Sequence, residues 1–303
     1  MKIIFLGTSG AIPTNDRNLS SIVIWRGDEL LLFDTGEGMQ RNFIKSRLPM
    51  NKKMKIFISH IHGDHCIGLL GLLQTLSMNG RTLPIKIYGD AKVSEFVNAN
   101  LRIINFYLNF EIILYVISGD GLVTSESDYK VTCCQGKHSI ISYSFCLEEF
   151  DRPGIFNMDI ARKYHIPEGE LFSKLQSGSD IIINNKIIRS KRIVGPPRPG
   201  RKIGISGDTR PTKKLQQFFK KCDVLIFDST FGDKERLKAK QTFHSTATEA
   251  AILASNAKVK KLFLTHFSAR YSDVSVLVEE AKKIFNDVES AEDLKIAEVK
   301  YSE

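Results

Sequence analysis

Eight short apolar runs recur along the chain, each closed by Gly, Asp or His: KIIFLGTSG, LLLFDTGEG, KIFISHIHGDH, IKIYGD, YKVTCCQGKHS, KIGISGDT, DVLIFDST and KLFLTHFS. Runs of about four to eight β-rich residues bounded in this way predict buried strands. The most apolar stretch, Ile112 to Ile117, is also strand-length. Between some runs lie helical patterns. CIGLLGLLQTLS has apolar positions at near-helical spacing, and SDVSVLVEEAKKIFND places Val274, Leu277, Val278, Ala281 and Ile284 on one face, with charges opposite. Strands with interspersed helices predict an α/β protein whose sheets are covered by helices.

A chain of 303 residues can bury a large core. No run approaches the ~18 apolar residues a membrane span needs. The opening MKIIFLGTSGA has a Lys before apolar residues, but the run ends at Leu6, short of the roughly 7–15 residues of a signal-peptide core. We read it as a first buried strand, and expect a cytoplasmic protein. The five cysteines (Cys66, Cys133, Cys134, Cys146, Cys222) form no CxxC pair, which predicts reduced, core-facing thiols. Any metal would then be held by His and Asp. The net charge of +9 favours a polyanionic partner such as nucleic acid.

Chemistry-bearing residues fall at the ends of the predicted strands: Asp34, His60, His138, Asp208, Asp228 and His266. Rigid strands fix such ends, so their loops can converge on one site. The densest stretch is SHIHGDHCIGL, which holds three of the seven histidines. His60 and His62 alternate across one residue and can point the same way in an extended segment. Gly63 permits a sharp turn, and Asp64 and His65 follow at a helix start. Four ligands so placed crowd a single tetrahedral ion. They suit two ions, with His60 and His62 on one and Asp64 and His65 on the other. Imidazole and carboxylate favour zinc, and less tightly manganese or iron. His138, Asp208 and His266 supply the missing ligands, with Asp208 as a carboxylate bridge between ions about 3.5–4 Å apart. His165 and His244 stay outside this set, and His165 reads as a surface residue.

From about Glu148 to Val194 the composition changes. The segment has Pro-Gly punctuation, many charges and low apolar density, and DIIINNKII suggests a small hairpin around Asn184-Asn185. It reads as an inserted arm, about 150–193, with little core of its own. The PPRPGRK stretch after it is a stiff basic link.

The HxHxDH pattern with distant His, Asp and His resembles the metallo-β-lactamase superfamily over nearly the whole chain. Within it, GTSGAIPTNDRNLSS, SHIHGDHCIGLLGLL, RPG…LFSKLQSG…VGPPRPGRKIGISGDTRP, FHST and THFSARY resemble the ribonuclease Z family. The resemblance implies an αβ/βα sandwich of two mixed sheets flanked by helices, an inserted tRNA-clasping arm, two zinc ions per chain, a homodimer and cleavage of precursor tRNA near the discriminator base. It places His60, His62 and His138 on one metal and Asp64, His65 and His266 on the other, with Asp208 bridging. Two departures stand out. Asn15 replaces the Lys of a PxKxRN pattern whose Arg17-Asn18 remain, and FDST replaces a HEAT-like segment, with Phe227 for His and Asp228 for Glu. The competing reading on the same fold is a small-molecule phosphodiester or thioester hydrolase, which would have no use for a basic arm.

A phosphodiester hydrolase needs a nucleophile, charge neutralisation and protonation of the leaving group. Two metals can serve the first two, and Asp64 could orient the attacking water or take its proton. Thr246 with Glu249 fits a capping box, which puts His244 just outside a helix N-terminus, where phosphate binds readily. His244 is the candidate proton donor and Asp228 its orienter. Asp34 is a candidate acceptor behind a ligating histidine. Arg17, Thr209 and Arg270 are candidate phosphate contacts.

Overall fold

The structure is a computed structural model that describes residues 1–104 and 107–301. It divides into two compact units, Met1–Leu147 with Lys202–Lys300, and Glu148–Arg201 with Tyr301.

The larger unit is built on two seven-stranded sheets. The first runs, in spatial order, Ile296–Glu298, Lys2–Gly7, Ser21–Arg26, Glu29–Phe33, Lys53–Phe57, Ile85–Gly89 and Ile112–Val116. The second runs Val288–Ser290, Lys261–Thr265, Val224–Asp228, Lys202–Ile205, Tyr143–Glu149, Tyr129–Gln135 and Gly121–Ser125. Both are mixed: Lys2–Gly7 pairs antiparallel with Ser21–Arg26, whereas Glu29–Phe33, Lys53–Phe57 and Ile85–Gly89 are parallel. In the second sheet Lys202–Ile205, Val224–Asp228 and Lys261–Thr265 are parallel.

Central strands are covered on both faces, which is why their sequences are almost continuously apolar rather than alternating. Between the sheets Phe5, Phe57 and Phe145 pack with Ile203, Ile226 and Phe263. The outer face of the first sheet meets Leu69, Leu72, Leu73 and Leu76 of the helix Gly68–Met78. The outer face of the second meets Ala250, Ala251 and Leu253 of the helix Ala247–Asn256. The result is the layering predicted from the strand–helix alternation. Phe33, Phe57, Tyr88 and Tyr115 stack in register across four parallel strands, with centroids 4.9, 4.9 and 4.8 Å apart. This ladder fixes the strand ends just before Asp34 and Ser59.

Some local expectations differ from the structure. The C-terminal helix spans Ser275–Lys282 and buries Leu277 and Ala281, but it stops before Ile284, which is 45% exposed. Ile112–Val116 is a strand, yet it lies at a sheet edge and is only partly covered. All five cysteines are free and buried, as expected. Among the described residues, no helix is long and apolar enough to cross a membrane.

The smaller unit carries more core than its composition suggested. Ala161, Ile166, Leu175, Ile181, Ile188 and Ile193 form a buried cluster of their own. Few apolar residues suffice because two helices, Met158–Lys163 and Glu170–Gln176, and a hairpin all turn their sparse apolar side chains to one point. The hairpin Ile181–Ile183/Lys186–Ile188 forms where expected. Asn184 and Asn185 take φ of 50° and 57°, the left-handed pair that a two-residue hairpin turn favours and that Asn tolerates.

Candidate metal centre

Seven side chains of the larger unit meet at the C-terminal ends of its strands. His60 and His62 follow Lys53–Phe57, and Asp64 and His65 sit in the short helix Gly63–Cys66. Asp208 follows Lys202–Ile205, His266 follows Lys261–Thr265, and His138 follows Tyr129–Gln135. They form two groups, His60–His62–His138 and Asp64–His65–Asp208–His266, whose ligand atoms within each group lie within 4.8 Å of one another.

In the first group His62 Nδ1 lies 3.0 Å from His60 Nε2 and 3.2 Å from His138 Nε2. Zinc–nitrogen bonds of about 2.0–2.1 Å put tetrahedral nitrogens about 3.3 Å apart, so this spacing fits one ion. In the second, His65 Nε2 and His266 Nε2 are 3.3 Å apart, and Asp64 Oδ2 is 3.4 Å from His266 Nε2. Asp208 stands between the groups. Its Oδ2 is 3.7 Å from His60 Nε2 and 3.3 Å from His65 Nε2, and its Oδ1 is 3.2 Å from His266 Nε2. That Oδ1 is buried and makes no hydrogen bond among the described residues. A buried carboxylate oxygen without a donor is costly; a cation beside it removes the cost. The residues therefore fit two metal ions bridged by Asp208.

Charge supports the same fit. Burial and the neighbouring imidazoles hold His60 well below its ordinary value, and burial lowers His62 and His138. Neutral imidazole is the form that ligates. Burial pushes His65 down, but the Asp208 and Asp34 carboxylates outweigh it and raise it strongly, so positive charge is stabilised there. Burial pushes Asp64 up, yet its His266 hydrogen bond and the His65 charge hold it well below the carboxylate range.

Four of the five ring nitrogens turned away from the groups are also engaged, which fixes those tautomers. His65 Nδ1 is 2.8 Å from Asp34 Oδ2, the partner expected for one histidine. His60 Nδ1 is 2.9 Å from Ser59 Oγ, His266 Nδ1 is 2.9 Å from Thr230 Oγ1, and His138 Nδ1 is 3.3 Å from the Phe243 carbonyl. Ser59 and Thr230 were not singled out in the sequence, because a serine or threonine at a strand end carries no spacing signal. Gly10 was missed as well. A Cβ there would fall 2.4 Å from His266 Cε1, so the ring lies directly on the backbone of that glycine. Asp34 and His266 hold φ of 57° and 62°, a left-handed conformation costly for such side chains and found where a site dictates it.

His244 lies beside the second group, its ring stacked on His266 at 5.1 Å. Its Nδ1 is 3.0 Å from Asp228 Oδ2. Asp228 is fully buried and also accepts from Thr230 Oγ1 (2.7 Å) and from the Thr209 and Thr230 N–H groups (both 3.1 Å). Burial lowers the His244 imidazole, but the Asp228 and Asp208 carboxylates raise it to about 9. The capping box of Thr246 and Glu249 is present at the helix Ala247–Asn256. Glu249 also pairs with Arg210, whose guanidinium donates to the His244 carbonyl. Arg210 was not foreseen; it ties the histidine to the helix start.

The three expected phosphate contacts separate. Arg270 is exposed and bonds Ser268 Oγ at 3.2 Å. The Arg17 guanidinium donates to the Tyr271 carbonyl. Thr209 is fully buried: its hydroxyl accepts from the Lys137 N–H (2.8 Å) and donates to the Arg210 carbonyl (2.8 Å). Its hydroxyl is thus engaged on both sides within the protein. His165 is exposed in the smaller unit, as expected.

Asp208→Ala should lower bound metal from about two equivalents to less than one, because both groups lose a ligand. Elemental analysis of the purified variant checks this; retention of two equivalents would contradict the bridge.

A family profile described as "Anti-Pycsar protein Apyc1" matches residues 1–103. Over the full length the chain is 51% identical across 300 residues to the ribonuclease Z of Nitrosopumilus maritimus, covering 99% of this chain and 100% of that one. It is 41% identical to the ribonuclease Z of Methanosarcina acetivorans, covering 99% of each. Among solved structures it is similar to human tRNase Z, short form, with a TM-score of 0.72 and 26% identity over 99% of this chain and 100% of that one. Paired His/Asp groups of this kind are typical of a binuclear metallo-β-lactamase site, and with identity of this extent across its whole length the chain belongs to the ribonuclease Z family of the metallo-β-lactamase superfamily.

Proposed function

We propose that the chain is the tRNA 3′-processing endonuclease of its organism, cleaving precursor tRNA near the discriminator base and releasing the 3′ trailer. The observation that carries this reading is the joining of two ligand groups through Asp208 with His244 alongside, in a chain aligned end to end with ribonuclease Z relatives. His60, His62 and His138 would hold one zinc ion, and Asp64, His65 and His266 the other, with Asp208 shared; manganese suits the same donors less tightly. When bound, the two ions activate water and neutralise phosphate charge.

The chain's own residues do the rest. Asp64, kept ionised and held by the Ala11 N–H at 2.7 Å, orients the attacking water. His244, with Nδ1 on Asp228, offers Nε2–H to the leaving 3′-oxygen, and Asp228 keeps the ring in that tautomer. Arg270 contacts a flanking phosphate, and Arg17 braces the loop it lies on. The segment 150–193 grips the body of the tRNA, and the protein acts as a cytoplasmic homodimer.

His244→Ala should keep both metals and tRNA affinity, while cleavage of precursor tRNA falls by roughly 10²–10⁴. Hydrolysis of a small phosphodiester with a good leaving group should fall far less, since it needs no proton. Equal losses on both substrates would assign His244 to packing. Deleting 150–193 should raise the apparent Kd for tRNA and spare the small substrate. Loss of small-substrate activity, with metals and fold intact, would sink the arm reading.

A further inference from the structure

Asp293 is a carboxylate far along the chain from every member of the two ligand groups, and half-buried without a cation. No Lys or Arg lies within ion-pair distance of it among the described residues. It is instead satisfied by donors. Its Oδ1 accepts from Thr8 Oγ1 at 2.8 Å. Its Oδ2 accepts from the Asn18 N–H at 2.8 Å, from Asn18 Nδ2 at 3.0 Å and from Asn42 Nδ2 at 3.0 Å. A carboxylate accepts at both oxygens and so matches four donors from three residues. Burying a charge without a counter-ion is unfavourable unless such hydrogen bonds compensate it.

Thr8 and Asn18 are the two ends of a loop, and Asn42 lies in the helix Met39–Lys45. Asp293 thus closes the loop and pins it to a helix. The same loop carries Gly10, whose backbone supports the His266 ring, and Ala11, whose N–H holds Asp64 Oδ2. Ala11 is itself left-handed, with φ of 62°. Both contacts go to the Asp64–His65–Asp208–His266 group. The rear contacts of the other group come from Ser59 and Phe243, outside the loop.

We infer that Asp293 is a positioning residue for one metal site only: by latching the 8–18 loop it sets Asp64 and His266 for their ion and leaves the His60–His62–His138 site independent. Asn18 is part of the latch and Arg17 bonds the Tyr271 carbonyl, whereas Asn15 is exposed.

The inference rests on the binuclear reading of the site, and zinc binding tests it without RNA, so failure of the tRNA reading would leave it standing. Asp293→Asn keeps the shape but turns an amide N–H₂ toward donors. Titration of metal-free protein with zinc should show one equivalent bound as in the parent chain. The other should bind about 10-fold or more weakly, in line with the usual effect of losing support behind a ligand. Ring-nitrogen NMR should assign the weakened equivalent to His65 and His266. Added free zinc should restore precursor cleavage with KM unchanged, which a purely structural defect would not allow. Thr8→Val, which removes only the donor to Oδ1, should shift the same equivalent by less, and it decides the matter if Asp293→Asn does not fold. Equal weakening of both equivalents, no weakening, or weakening confined to the His60–His62–His138 site would overturn the inference.

Discussion

The site depends on one constraint: a buried carboxylate, Asp208, with an oxygen that no protein donor satisfies. Around it the chain gathers five imidazoles and a second carboxylate. Such a cluster is unfavourable as a folded core unless cations enter it, because buried charge and unpaired polar atoms need compensation. The fold accepts this because rigid strands bring the ligands together. Asp34, His60, Asp208 and His266 follow strands, and Asp228 ends one, whose interiors are fixed by apolar packing on both faces. In the first sheet the stacked ladder from Phe33 to Tyr115 sets the register of the strands that lead to Asp34 and His60, so part of the ligand geometry is decided well away from the ligands themselves.

Behind the ligands lies a layer whose purpose is orientation. Asp34, Ser59 and Thr230 engage the rear ring nitrogens. Asp228 serves twice, accepting from Thr230 and from His244. Through these two bonds the proposed proton donor and a proposed metal ligand share one anchor. Arg210 and Glu249 then tie the His244 backbone to the start of a helix. A change at Asp228 would therefore disturb His266 as well as His244, which limits how freely the acid can be retuned.

Much of this was legible before any coordinates. The HxHxDH spacing and the strand-end positions of His138, Asp208 and His266 point to the residues that converge in the two groups, because metal chemistry restricts residue types and strands restrict where their ends fall. The capping box at Thr246 and the turn at Asn184-Asn185 were readable because each has a strict local rule. Ser59, Thr230, Gly10, Arg210 and Asp293 were not, since each acts through a contact distant in sequence and belongs to a common residue type. The burial of Thr209 was not legible for a related reason: a threonine at a strand end can face solvent or core, and only packing decides. The smaller unit's core was underestimated because composition averages over a segment, while six apolar side chains converging at one place suffice to bury one another.

The most direct test of the account is the chemistry of the cut. Purified protein supplied with zinc is incubated with a precursor tRNA bearing a 3′ trailer, and both new ends are mapped and characterised. Attack by water with His244 protonating the leaving 3′-oxygen predicts one cut beside the discriminator base, a free 3′-hydroxyl on the tRNA and a 5′-phosphate on the trailer. An intact precursor, scattered cuts, or a 2′,3′-cyclic phosphate on the tRNA would contradict it.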